Sequence, residues 1–206
     1  MLRFASVLAA LAFATAIGSI PAAAEESASV AAAELGPSVG AAIPHDLALP
    51  RANGETGAFD ALVGEKGLAL FFVRSVDWCP YCKRQAEDVS KRIAEFEARG
   101  LGVAFVSYDT IEKQAKFVEA SGFAPALLSD ADIEAINAFG IRNETAKEGT
   151  RWYGIPHPVT FIIDRDQTIR AKFYEEDFLT NDKSYRNRTA VDVILAGVDA
   201  AFSEGS

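Results

Sequence analysis

Residues 67–107 read GLALFFVRSVDWCPYCKRQAEDVSKRIAEFEARGLGVAFVS, and this stretch decides the fold. Gly67 to Val73 and Leu101 to Ser107 are continuous apolar runs of strand length. Such runs suit strands buried on both faces of a sheet. Between them Ala86, Val89, Ile93 and Phe96 recur three and four apart, and Gly100 stands where it can end a helix. Strand, helix and strand in this order predict a crossover unit with parallel strands.

Working outward, a second helix is expected over Ile111 to Ala120, closed by Gly122. A third is expected from about Ala131 to Phe139, where Ser129 or Asp130 can cap the free N–H groups. The polar, Gly-punctuated stretch from Asn143 to Gly154 reads as a loop. Val159 to Ile163 and Thr168 to Tyr174 read as a hairpin turned through Asp164, Arg165, Asp166 and Gln167. A last helix is expected from Thr189, paired with Asp192 as a cap, burying Val191, Ile194, Leu195, Val198 and Phe202. The fold class is α/β, a central mixed sheet with helices on both faces.

Upstream, Met1-Leu2-Arg3 is followed by an apolar run to Ile20 and then by Pro21-Ala22-Ala23-Ala24, the three-part shape of a secretory signal. Residues 1–24 are read as a signal peptide, residues 25–42 as a flexible Ala-, Ser-, Gly- and Glu-rich segment, and residues 43–206 as one domain. The chain is therefore expected to be exported, to a periplasm or beyond the cell. Its 206 residues hold 20 Lys plus Arg against 29 Asp plus Glu, a net charge of −9, with no basic run. That balance disfavours nucleic-acid and anionic-lipid partners.

The chain has only two cysteines, Cys79 and Cys82, in the segment Trp78-Cys79-Pro80-Tyr81-Cys82 between the first strand and the first long helix. Pro80 suits the first helical position, which makes Cys79 the N-cap and places Cys82 one turn on. The Cys79 sulfur then faces unsatisfied N–H groups and the positive end of the helix dipole, and both favour the thiolate. An ordinary thiol of pKa about 8.5 is only about 3% ionised at neutral pH, so a modest depression changes its reactivity greatly. Lys83 and Arg84 add exposed positive charge. Cys82 can attack a mixed disulfide on Cys79 and release the substrate, a two-electron cycle that needs no cofactor. A structural disulfide would close a loop too short to remove much chain entropy. A zinc site would need more ligands than His45 and His157 supply, so no metal is expected. Two inert buried cysteines are the remaining alternative.

With these residues placed, the chain resembles the thioredoxin-like superfamily, in its redoxin or AhpC/TSA peroxiredoxin-like branch, from about Ile43 to Tyr174. The resemblance rests on the strand ending in Trp78-Cys79-Pro80-Tyr81-Cys82 and on Pro158-Val159-Thr160-Phe161-Ile162-Ile163-Asp164. Phe59-Asp60-Ala61-Leu62-Val63-Gly64 and Leu127-Leu128-Ser129-Asp130 match more weakly. It implies a thioredoxin-like fold, a cis Pro158 facing the cysteines, and Trp78, Pro80 and Tyr81 as supporting residues. His157 would come near the site, to tune Cys79 or shuttle a proton, unless it is an exposed loop histidine.

The sequence also departs from the family. Val76 stands where peroxiredoxins carry Thr or Ser, Phe72 where they carry Pro, and Val73 where thioredoxins bury an Asp. Asp77 and His157 are then the candidates for deprotonating Cys82. Together with the leader, the site leads to the expectation of an exported thiol-disulfide oxidoreductase with Cys79 as attacking thiolate and Cys82 as resolving thiol. Its partners would be a protein or small-molecule disulfide or thiol and a redox partner protein. The alternatives are a thiol peroxidase using the same cysteines and, at a greater remove, a copper chaperone on the same fold.

Overall fold

In a computed structural model of the chain, residues 34–203 are described. The five-stranded sheet has the order β5-β4-β3-β6-β7, formed by β3 (Gly67–Phe72), β4 (Leu101–Ser107), β5 (Ala126–Ser129), β6 (Val159–Asp164) and β7 (Ile169–Tyr174). A separate antiparallel pair, β1 (Leu49–Pro50) and β2 (Thr56–Gly57), precedes it. β3 runs parallel to β4 and antiparallel to β6. The sheet is therefore mixed, as the crossover and the hairpin require.

Side chains alternate along β3 and so divide the core. Leu68, Leu70 and Phe72 pack on one face with Ile136 and Phe139, which belong to and border α4 (Glu134–Ala138). Ala69, Phe71 and Val73 pack on the other face against α1 (Pro80–Lys91), α2 (Ile93–Glu97) and α5 (Val191–Ser203). Phe117 of α3 (Ile111–Ser121) joins this second cluster. Phe71 is fully buried, stacked on Phe105 at 4.5 Å and edge-on to Phe96 at 6.2 Å. Replacing it with Ala should lower the stability by about 3–5 kcal/mol, read by chemical denaturation.

Several local expectations change. The long helix after the cysteines breaks at Arg92 (φ −116°, ψ 16°), whose N–H bonds to Val89 one residue short of the helical repeat. The helix expected from Ala131 forms only over Glu134–Ala138 and is entered through Ile133 at φ 55°. Asp130 does cap it, accepting from the N–H groups of Ala135 (3.2 Å) and Ile136 (2.8 Å), whereas Ser129 turns to the Asp109 carbonyl. α5 begins at Val191 with the Ala190 carbonyl as first acceptor, and Asp192 pairs with Arg92 at 2.7 Å rather than capping.

The flexible segment expected over residues 25–42 is packed where it is described. Leu35 is buried in the core, and Gly40 donates to the Ile169 carbonyl at 2.8 Å, because the open edge of β7 offers it a partner. The expected signal peptide and residues 25–33 lie outside the described residues.

Candidate active site

The loop Arg74 to Cys79 leaves the end of β3 and enters α1, and a buried carboxylate sets its course. Asp109, just past β4, accepts from the Ser75 hydroxyl (2.7 Å), the Val76 N–H (2.7 Å) and the Ser107 hydroxyl (2.8 Å). Ser75 in turn accepts from the N–H groups of Asp77 (3.0 Å) and Trp78 (3.2 Å). Backbone donors that no strand partner satisfies are thus used up on one bend, which delivers Cys79 to the helix start.

Cys79 is the N-cap of α1, with Pro80 as the first helical residue and the Cys79 sulfur accepting from the Cys82 N–H at 3.3 Å. The two free thiols are buried, their sulfurs 2.7 Å apart. A hydrogen bond between the sulfurs couples their titration. The charge does not settle where the capping geometry alone suggests. The hydrogen bond with Cys82 and burial push the Cys79 thiol well above its ordinary range. Burial opposes ionisation of Cys82 too, but the hydrogen bond with Cys79 and the Arg188 guanidinium bring it down to about 6. Arg188 reaches the Cys82 sulfur at 3.3 Å, held in place by the Gln85 side-chain oxygen (2.9 Å) and the Tyr185 carbonyl. The Arg188 guanidinium thus favours the thiolate on Cys82, with Cys79 as the protonated partner of the coupled pair.

Aromatic rings flank this pair. The Trp78 indole N–H donates to the Tyr108 hydroxyl at 3.0 Å, and its ring meets Trp152 edge-on at 4.4 Å. Tyr81 meets Tyr185 edge-on at 6.0 Å, and the Arg74 guanidinium lies 3.9 Å over Tyr185 and 5.3 Å from Trp78. Trp78, Pro80 and Tyr81 stand beside the cysteines, as their chain positions require.

His157 does not join them. It packs edge-on to Phe178 at 4.9 Å beside Arg142, and among the described residues no hydrogen bond links it to either sulfur. Burial and the nearby Arg74 charge lower its pKa to about 4, which removes it as a proton shuttle near neutrality. Asp77 is likewise committed elsewhere, to Lys113 at 3.1 Å. Pro158 lies with Gln85 and Arg188 along one small crevice, but no peptide bond among the described residues is cis, so the expected cis geometry is absent.

Sequence reasoning missed Arg188, which is 106 positions from the cysteine it serves. The one available signal was the basic, aromatic run Ser184-Tyr185-Arg186-Asn187-Arg188 in an otherwise acidic chain.

A family model described as the AhpC/TSA family matches residues 39–172. The peroxiredoxin Bcp of Escherichia coli (strain K12) is 30% identical over 135 residues, covering 66% of this chain and 83% of that protein. A putative peroxiredoxin of Mycobacterium tuberculosis is 32% identical over 126 residues, covering 61% and 78% respectively. Among solved structures, the peroxidoxin BcpB of Mycobacterium tuberculosis superposes with a TM-score of 0.63 at 26% identity, over 79% of this chain and 96% of that one.

Proposed function

Because the chain belongs to the AhpC/TSA family, we propose that it is a thiol peroxidase that works through Cys79 and Cys82. The observation that carries this reading is the pair of sulfurs 2.7 Å apart with Arg188 opposite Cys82. The Cys79 sulfur attacks the terminal oxygen of a hydroperoxide as its proton passes to the Cys82 thiolate. The O–O bond breaks, the leaving alkoxide or hydroxide takes that proton from Cys82, and Cys79 becomes a sulfenic acid. Cys82, again a thiolate beside Arg188, attacks that sulfur, and hydroxide leaves as water after protonation. The resulting Cys79–Cys82 disulfide needs two electrons and two protons from an outside dithiol to close the cycle. No metal or organic cofactor enters these steps.

A second reading, thiol-disulfide exchange with Cys79 as attacking group, is supported by its place as N-cap with Cys82 one turn on. Hydrogen peroxide consumption and insulin reduction, both driven by dithiothreitol, separate the two readings. Peroxide turnover well above insulin reduction is the expected result, and insulin reduction without peroxide turnover would overturn it. The leader-like residues 1–24 support an exported setting for this chemistry.

A further inference from the structure

The chain has two tryptophans and five tyrosines. Trp78 and Tyr81 pack with the cysteine pair, and Trp152, Tyr108 and Tyr185 extend from them ring to ring. Three exposed arginines lie over these rings: Arg84 over Tyr81 at 4.8 Å, Arg151 over Trp152 at 3.9 Å and Arg186 over Tyr185 at 5.8 Å. Elsewhere Arg92, Arg99, Arg142 and Arg170 each pair with a carboxylate. Among the described residues, Arg84, Arg151 and Arg186 have no such ion pair, in a chain whose net charge is −9.

Half-buried Trp and Tyr under unpaired Arg is the composition that carries binding energy at protein interfaces. A net charge of −9 disfavours an acidic partner in general, whereas these three arginines attract one to the collar.

We propose that this arginine-on-aromatic collar is the docking surface for an acidic dithiol protein, which reduces the Cys79–Cys82 disulfide. The inference rests on the disulfide-forming cycle described above. A thiolate of the docked partner attacks the Cys79 sulfur, the Cys79–Cys82 bond breaks, and Cys82 leaves as a thiolate opposite Arg188. The partner's second thiol then attacks the mixed disulfide. Cys79 departs as a thiol, and the partner carries away the disulfide, oxidised by two electrons.

The test uses two synthetic dithiol peptides alike except for flanking residues, four Glu in one and four Lys in the other. Reduction of the peroxide-oxidised protein should be about tenfold faster with the Glu peptide at low salt, and the gap should narrow as salt screens it. In the Arg84→Glu/Arg186→Glu variant the preference should reverse, while dithiothreitol-driven turnover stays unchanged. Equal rates for the two peptides, or a preference indifferent to that variant, would overturn the proposal. Failure of the protein to form the disulfide at all would overturn the catalytic reading instead. Docking is then read separately, with Ser-for-Cys versions of both peptides and the tryptophan emission. Both tryptophans lie in the collar, so a saturable change with the Glu peptide alone supports docking, and none with either peptide sinks it.

Discussion

Replacing Cys79 with Ser should abolish peroxide turnover, a loss of at least about a thousandfold, because the remaining Cys82 is fully buried and has no second thiol with which to close a disulfide. Cys82→Ser should differ in kind. It keeps the outer sulfur and relieves Cys79 of the neighbouring thiolate that holds its proton in place. The Cys82→Ser protein should therefore consume about one peroxide per chain and stop, with Cys79 held as a sulfenic acid that dimedone traps. Mass spectrometry after trapping distinguishes the two variants. A sulfenic acid found on Cys82 in Cys79→Ser would reverse the assigned roles. Wild-type turnover in either variant would remove the pair from the chemistry altogether.

The second large effect belongs to Arg188. Its guanidinium is the nearest full positive charge on the Cys82 sulfur, at 3.3 Å, and burial alone works against the thiolate. With the Cys82 thiol at about 6, roughly nine-tenths of the pairs are ionised at neutral pH. Arg188→Met removes the opposing charge and leaves the burial, so the pKa should climb to the ordinary thiol range or beyond. The reactive fraction at neutral pH should then fall about 30-fold. Thiolate ultraviolet absorbance and the rate of alkylation, each followed against pH, report the shift. An unchanged profile would show that the charge on the sulfur is held by something else.

The same pair couples pH to stability with a definite sign. The Cys82 thiol is depressed to about 6 in the folded chain against about 8.5 unfolded, so its contribution is complete only above about 8.5 and is lost as pH falls toward 6. Cys79 is raised, so its contribution is present below the unfolded value and declines as pH climbs past it. The reduced protein should gain stability between those limits and then lose it in more alkaline solution, as chemical denaturation followed against pH would show.

Which segments become strands and helices was legible from local pattern. The alternation of faces in β3, the 3.6-residue spacing after it, and the glycine at Gly122 with φ 65° all act over a few residues, and a linear reading captures them. The break at Arg92 was not legible, because apolar spacing continues through it to Ile93 and Phe96 while the backbone does not.

The candidate site divides along the same line. The sequence by itself determined that two cysteines stand a helical turn apart at the start of a helix, since proline, spacing and N-cap geometry are properties of four consecutive residues. Only the tertiary structure decided which sulfur carries the charge. That depends on a guanidinium brought from position 188 and on a carboxylate at position 109 that bends the loop, and chain distance says nothing of spatial distance. Electrostatic energy in a buried setting follows separation and desolvation. The local rule favoured Cys79 as the thiolate, and the assembled field placed the thiolate on Cys82.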